Sequence, residues 1–241
     1  MRKLLTGMMI LGALATAGTS QAANGTVDLS WDVCSPPVAD KTTTTPGAYM
    51  MVASELGNDQ FTTGYQIRAI YGDDTQNVPD AWRFDPAGCQ GTGFVTLNHL
   101  PPAALSKVCP PFQQTAASLQ IKDVAFTPPT DPYSVNTMRI VLANAYPSGV
   151  TANPATRYFL MSAIFDHTFS VVGAGAPGST CGGFEKSICI KPSVAEFIDS
   201  NGAAQNFARG NSVLTFNGAA ACPAIPTRQQ TWGQIKGQYR Q

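Results

Sequence analysis

The run from Arg157 to Val172 constrains the fold more than any other part of the chain. Phe159 and Met161 fall on one side of an extended chain, and Leu160 and Ile164 fall on the other. Its aromatic and β-branched residues favour a strand over a helix, and apolar residues on both sides are typical of a strand buried on both faces. The run therefore predicts the central strand of a sandwich, surrounded by shorter strands and long polar loops.

Residues 1–22 have the pattern of a secretory signal peptide. Basic residues at the start precede an apolar core over 4–15, and Ser20 and Ala22 are the small residues expected just before a cleavage site. A membrane anchor is the alternative, but this core is shorter than the ~20 residues that span a bilayer. We expect residues 23–241 to be secreted, into the periplasm or out of the cell, as a single domain with no membrane span.

Composition restricts the class of partner. The chain has 15 Lys and Arg against 15 Asp and Glu, and only 12% of its residues are charged. Such a neutral surface argues against nucleic acid as a ligand, because nucleic-acid-binding proteins present basic patches. The 22 glycines and 18 prolines suit an extracellular all-β protein with many turns better than a helical cytoplasmic enzyme.

Short segments with the alternation of β-strands occur along the whole chain. Residues 26–31 alternate cleanly, with Val27, Leu29 and Trp31 on one side. A short helical turn is expected near 101–105. Further strands, separated by turns rich in Gly, Pro, Asn and Asp, are predicted over 48–54, 61–71, 93–97, 119–126, 137–146, 188–190, 196–198 and 212–216.

Residues 231–240 have a different pattern. Thr231 and Gln234 have the spacing of a helix capping box, and Trp232, Ile235 and Tyr239 recur on one helical face. These features predict a short C-terminal helix that docks on the strands. The fold class predicted for the chain is therefore all-β, an antiparallel β-sandwich with long loops, disulfides and a short C-terminal helix.

Six cysteines in an exported chain predict three disulfides. The spacing favours Cys181 with Cys189 across a short loop, and Cys89 with Cys109 around one strand. Cys34 with Cys222 would then join the two ends of the domain. A zinc site is disfavoured, because the sequence has no C-x-x-C spacing and only two histidines.

Aromatic residues on both sides of an acidic loop form a candidate ligand-binding face. Tyr71, Trp82 and Phe84 could stack on the apolar faces of sugar rings. Core packing is the favoured role, because strand alternation already explains Tyr65 and Tyr71, and a single tryptophan in a loop commonly packs inward.

The same loop has the oxygen ligands that a calcium ion prefers. Asp73, Asp74 and Asp80 lie close together in the sequence, although their spacing matches no defined calcium loop. Ordinary solvated turn residues are therefore the favoured interpretation of these three aspartates. Calcium is the one ion that the sequence suggests, and no other cofactor is predicted.

No known catalytic motif is present in the sequence. It lacks a G-x-S-x-G elbow, an H-E-x-x-H zinc motif, a phosphate loop and a dinucleotide fingerprint. Asp166 and His167 are adjacent on a predicted strand and so point to opposite faces, which predicts a packed, structural histidine. Glycoside hydrolysis needs two facing carboxylates, which no motif indicates.

Several segments resemble a group of secreted proteins from environmental bacteria to which no function is assigned. These segments are 29–34 (LSWDVC), 80–89 (DAWRFDPAGC), 181–190 with its CGG and ICI, and 231–236 (TWGQIK). In addition, residues 64–71 (GYQIRAIY) followed by an acidic loop are similar to the early strands of cohesins and related carbohydrate-binding sandwiches. The resemblance implies secretion, disulfides and an immunoglobulin-like or cohesin-like sandwich.

The sequence favours a secreted, non-catalytic protein that acts in binding or in surface structure. The expected partner is a polysaccharide or a cell-surface protein, and the oligomeric state is left open. A secreted hydrolase with an unrecognised carboxylate pair is the alternative. Two acidic side chains facing each other ~5–10 Å apart would favour the hydrolase.

Overall fold

The computed structural model of the chain describes residues 26–57, 61–72, 77–112, 119–127, 137–174, 180–206, 208–209 and 213–218. The predicted signal peptide, the predicted helix at 231–240 and Cys222 lie outside these ranges. Among the described residues, no helix has the length and apolar character required to cross a membrane.

The described residues are organised mainly as β-strands. The only α-helical element among them is α1 (Ala103–Ser106), close to the short helical turn predicted at 101–105. The strands are β1 (Thr26–Trp31), β2 (Asp40–Lys41), β3 (Ala48–Leu56), β4 (Phe61–Gly72), β5 (Val95–Asn98), β6 (Leu119–Thr127), β7 (Thr137–Thr151), β8 (Arg157–Asp166), β9 (Ile188–Ile198), β10 (Ala204–Asn206), β11 (Ala208–Arg209) and β12 (Leu214–Phe216).

These strands form two sheets. The first sheet has the order β11-β1-β3-β8-β5, and the second has the order β2-β12-β9-β4-β7-β6, with β10 paired to β9. Long neighbouring strands are antiparallel, as predicted, whereas the short edge pairs β1–β11 and β2–β12 are parallel. The predicted all-β class with antiparallel sheets is confirmed.

Strand β8 is an interior strand of the first sheet, but not the central strand that its sequence predicts. It lies between β3, which has the middle position, and the short edge strand β5. Phe165 packs in the core between the two sheets, and Phe159 belongs to a separate apolar cluster. Both side chains are fully buried, so the strand is buried on both faces, as predicted. Phe159 does not share a side with Met161, however, because the register with β3 shifts between Ala53 and Ser54 and turns Phe159 away from the core.

The main core fills the space between the sheets. Strand β1 contributes Val27, Leu29 and Trp31, the three residues that alternate to one side in the sequence. Two buried hydrogen bonds cross the core. The Trp31 indole N–H donates to the carbonyl of Thr215 at 3.0 Å, and the Tyr65 hydroxyl donates to the carbonyl of Leu160 at 2.5 Å. The polar groups of these two aromatic side chains are therefore hydrogen-bonded although their rings are buried in the core.

Strand β9 differs from the prediction. The two short strands expected at 188–190 and 196–198 are one strand, Ile188–Ile198, that contains Pro192. The register with β4 shifts between Arg68 and Ala69, where Pro192 is paired. A bulge accommodates a residue that has no N–H to donate, so the strand continues through the proline.

Candidate functional site

The aromatic residues predicted as a ligand-binding face lie in the core. Trp82, Tyr71 and Phe84 are each 0% exposed. The Tyr71 hydroxyl donates to the carbonyl of Trp82 at 2.9 Å, and the Trp82 ring lies 4.9 Å from that of Phe216. Rings enclosed in this way have no face open for stacking on a sugar, so the alternative of core packing describes all three.

The predicted calcium loop is only partly described. Asp80 begins a 3₁₀ turn, Asp80–Trp82, and its side chain is exposed. Asp73 and Asp74 lie outside the described residues. Within the described ranges, no three His, Cys, Asp or Glu side chains are grouped as a metal site would require. A calcium site at this loop therefore stays a prediction.

The cysteine pairing differs from the one favoured by sequence spacing. Cys89 is bonded to Cys181, across a sequence separation of 92 residues. The pairs Cys89–Cys109 and Cys181–Cys189 are therefore wrong, and Cys34, a thiol in this structure, is not bonded to Cys222. Cys189 is also disulfide-bonded. Sequence spacing predicted the wrong pairs because disulfides form between cysteines that folding brings together, whatever their separation along the chain.

The Cys89–Cys181 disulfide lies beside a buried polar cluster of Gln90, Ser170 and His167. The Gln90 side-chain amide donates to Ser170 Oγ, and it also donates to the carbonyl of Ala81 at 3.3 Å. Ser170 Oγ lies 3.0 Å from Nδ1 of His167. Because Ser170 Oγ already accepts from Gln90, its hydroxyl hydrogen is available to a neutral imidazole at Nδ1.

His167 is enclosed by aromatic rings. Its ring centroid lies 4.5 Å from that of Trp82, 5.0 Å from Phe184 and 5.3 Å from Phe84. Asp166 instead accepts from the backbone N–H of Thr168 at 3.0 Å. The pair therefore lacks the arrangement of a catalytic triad, in which the carboxylate orients the histidine. This placement agrees with the packed histidine predicted from the sequence.

Burial lowers the pKa of His167 to about 4, against the smaller opposing effects of a hydrogen bond with Ala81 and the charge of Asp166. The folded state therefore keeps the ring neutral where the unfolded chain takes up a proton. Stability from this residue is complete above about pH 6.5 and is lost as the pH falls towards about 4.

We expect the free energy of unfolding to fall by about 3 kcal/mol between pH 6.5 and 4 because of His167 alone. His167→Gln removes the titrating ring and should flatten this part of the pH dependence, although its absolute stability will be lower. Urea unfolding at intervals from pH 7 to 4 measures both proteins. If the free energy of unfolding changed equally with pH in the wild type and in His167→Gln, His167 would have the same pKa in the folded and unfolded chains.

An aromatic pair lies at the surface next to this cluster. Phe94 ends the 3₁₀ turn Thr92–Phe94, and Phe169 lies in the turn after β8. Their ring centroids are 5.0 Å apart at an interplanar angle of 77°. Phe169 is 49% exposed, while Phe94 is partly buried against the core. We call these two rings and the nearby exposed Val172 the Phe94–Phe169 surface.

The disulfide and the polar cluster hold this surface in place. The N–H of Cys181 donates to the carbonyl of Phe169 at 2.9 Å, and the N–H of Val171 donates to the carbonyl of Cys181 at 2.8 Å. Cys181 is covalently linked to Cys89, and Gln90 contacts Ser170. Separate segments of the chain are thus joined next to the exposed ring of Phe169, which reduces the ordering entropy that a ligand would otherwise have to offset.

Sequence reasoning missed Phe94 and Phe169. Phe94 was placed in a predicted strand at 93–97, but the strand begins at Val95. Phe169 was included in the central apolar run, but β8 ends at Asp166. The Asp166 side chain accepts from the N–H of Thr168, an Asx turn that could have indicated the end of the strand.

The buried glutamates do not form a facing pair. Glu55 lies opposite Val27, a residue of the core between the sheets. Glu196 lies opposite Gln66, whose neighbours Tyr65 and Ile67 point into that core. Since alternate residues of a strand point to opposite faces, the second sheet separates the two carboxylates. Their arrangement does not match the pair that the hydrolase alternative requires.

Comparison with known proteins shows a remote likeness to cohesins. No protein-family model and no curated protein matches the chain. A cohesin module from a Clostridium perfringens family 33 glycoside hydrolase matches with a TM-score of 0.39 and 8% identity, covering 81% of this chain and 98% of the module.

Two further cohesins match in the same way. A type II cohesin domain from the cellulosome of Acetivibrio cellulolyticus has a TM-score of 0.38 and 10% identity, covering 80% of this chain and 95% of the domain. A non-cellulosomal cohesin from Archaeoglobus fulgidus has a TM-score of 0.34 and 10% identity, covering 80% of this chain and 90% of its own. The chain thus has a remote and weak likeness to cohesin domains.

Proposed function

We propose that this chain is a secreted binding protein that contacts a protein partner through the Phe94–Phe169 surface. The observation that carries the proposal is a half-exposed phenylalanine, Phe169, at a position held by a disulfide and a buried polar cluster. A large apolar ring exposed to water gains free energy when a partner covers it. Aromatic residues are also enriched among the residues that dominate binding energy at protein interfaces.

The shape of this surface favours a protein over a polysaccharide. The two rings meet edge to face at 77°, so they form a ridge and not a flat platform for a sugar chain. Val172 is 55% exposed, and the side chains of Thr92 and Thr168 are uncharged and exposed. The Asp166 carboxylate accepts from Thr168 and the Glu185 carboxylate accepts from the N–H of Gly173, so acidic groups border the ridge. An apolar ridge with a polar border complements an apolar pocket with a polar rim in another protein.

The test compares the wild-type chain with Phe169→Ala and the matched control Phe61→Ala. Phe61 is 47% exposed and pairs with Thr151, close to where β8 begins, whereas Phe169 follows the end of β8. The two substitutions remove the same ring, at similar exposure, from opposite ends of the sandwich. Labelled proteins are titrated onto intact producing cells, onto cells whose surface proteins have been removed by protease, and onto insoluble polysaccharides.

We expect saturable binding to intact cells that protease treatment abolishes. Phe169→Ala should weaken binding by ~10–30-fold, as for a central interface aromatic, while Phe61→Ala should bind like the wild type. Binding to a polysaccharide, or to protease-treated cells, would show that the ligand is a glycan and not a protein. Equal binding by all three chains would exclude the Phe94–Phe169 surface as the contact.

A further inference from the structure

Two cysteines that the observed disulfide does not use lie together on the outside of the first sheet. Cys34 follows β1, and Cys109 follows α1. Both are thiols, with exposures of 1% and 0%. They belong to one apolar cluster with Val52, Leu105 and Phe159, which is separate from the core between the sheets. This cluster is where α1 and the loop after β1 cover the first sheet.

The backbone holds each cysteine at this position. The N–H of Cys109 donates to the carbonyl of Leu105 at 2.9 Å. The next residues pair with β8, since the N–H of Phe159 donates to the carbonyl of Pro110 at 2.8 Å. On the other side, the Ser54 hydroxyl donates to the carbonyl of Cys34 at 3.4 Å. Neither cysteine therefore depends on the other to stay in place.

The two thiols are neighbours within this apolar cluster. The Cys109 thiol donates a hydrogen bond to Cys34, which lowers the pKa of Cys34 despite its burial, and the charge of Arg157 acts in the same direction. The same contact, with burial, raises the pKa of Cys109. Arg157 is itself bound to Asp28 at 2.6 Å, so its charge is fixed beside the sulfurs.

We propose that Cys34 and Cys109 form a disulfide that fastens α1 and the loop after β1 to the outer face of the first sheet. A disulfide requires two cysteines whose backbones are held close together, and these two thiols share one apolar cluster and a hydrogen bond while each backbone is anchored separately. Cys89 is bonded to Cys181, and Cys189 is also in a disulfide, so neither Cys34 nor Cys109 competes with these bonds for a partner. The Cys34–Cys109 bond replaces the pairings that sequence spacing favours for both residues.

The bond forms by thiol–disulfide exchange with a disulfide oxidant, for which oxidised glutathione serves as the probe. The Cys34 thiolate attacks one sulfur of the oxidant and releases the other as a thiolate, which leaves a mixed disulfide. Cys109 then loses its proton and attacks the Cys34 sulfur, releasing the second glutathione. Two electrons and two protons pass from the protein to the oxidant. Because both sulfurs are buried in the folded chain, exchange takes place before α1 packs on the sheet.

The test refolds the reduced full chain with oxidised glutathione, then denatures it without reductant, alkylates it with iodoacetamide and maps its peptides by mass spectrometry. We expect a cross-linked peptide that contains Cys34 and Cys109, two hydrogens lighter than the sum of its parts, with neither residue alkylated. Alkylation of both residues, or a cross-link from either one to another cysteine, would overturn the assignment.

Single substitutions give a matched control. In Cys34→Ser, Cys109 should be left unpaired, so that it is alkylated or carries one glutathione, while the Cys89–Cys181 cross-link remains. In Cys109→Ser, Cys34 should be left unpaired in the same way. Circular dichroism confirms that each variant keeps its strands before it is alkylated. If Cys109 is cross-linked to another cysteine in Cys34→Ser, with the native Cys89–Cys181 bond intact, the proposed pair is wrong.

Discussion

Trp82→Ala should lower the free energy of unfolding by about 3–5 kcal/mol, the typical cost of removing a buried aromatic side chain. Trp82 is fully buried, and its ring packs against Tyr71, Phe165 and Phe216 from three different strands. Alanine leaves a cavity there because neighbours fixed in two sheets cannot collapse into the space. Chemical denaturation followed by tryptophan fluorescence and circular dichroism measures the loss.

Phe169→Ala is the control for this prediction, since it also removes one aromatic ring. Its ring is half exposed and meets Phe94 at the surface, so the expected loss is within about 1 kcal/mol. A Trp82→Ala variant as stable as Phe169→Ala would show that Trp82 does not pack in the core. Because Trp82→Ala is expected to destabilise the fold, a loss of binding in that variant would reflect unfolding, so it cannot test ligand binding.

Removing the Cys89–Cys181 disulfide should lower the free energy of unfolding by about 4–5 kcal/mol in the chain-entropy model of cross-links. The reason is the length of the closed loop, because the two cysteines are 92 residues apart. Without the bond, the unfolded chain gains the conformations that a long loop allows. The measurement is denaturant unfolding of the double variant Cys89→Ala/Cys181→Ala against the wild type, both without reductant.

The single variant Cys89→Ala controls for side-chain packing, since it breaks the same bond and leaves Cys181 in its buried position. Its stability should match that of the double variant within about 1 kcal/mol. A double variant within about 1 kcal/mol of the wild type would mean that the cross-link contributes little beyond contacts already present.

The disulfide variant also separates stability from binding. The backbone of Phe169 bonds to that of Cys181, so loss of the cross-link should loosen the Phe94–Phe169 surface even at temperatures where the sheets stay folded. Binding measured well below the unfolding transition should then fall for the double variant. Phe169→Ala loses binding through the missing ring alone, with its stability nearly intact.

Local sequence pattern was sufficient for the main strands. The alternation of Val27, Leu29 and Trp31 placed all three in the core, and the positions of Tyr65 and Tyr71 did the same for β4. This success has a direct cause, because successive side chains of a strand point to opposite faces. Strands of two or three residues, such as β2 and β11, contain too little alternation to be found in this way.

The candidate site depends on contacts that no local pattern encodes. Trp82 lies in a loop without periodicity, so only its packing between the sheets shows that it is core and not a ligand platform. Phe94 and Phe169 are far apart in the chain and meet because β5 pairs with β8. The burial of His167 likewise comes from Trp82, Phe84 and Phe184, which belong to other segments.

The sequence by itself determined the positions of most long strands, the sides of β1 and β4 that face the core, and the all-β class, because these follow from the geometry of an extended backbone. Tertiary structure alone decided which cysteines meet, as Cys89 with Cys181 shows, and which aromatic rings reach the surface. Which cysteines and which rings meet depends on how the two sheets stack and how the loops cross their ends. The distances between these side chains are set by the packing of the whole chain, and not by their spacing along the sequence.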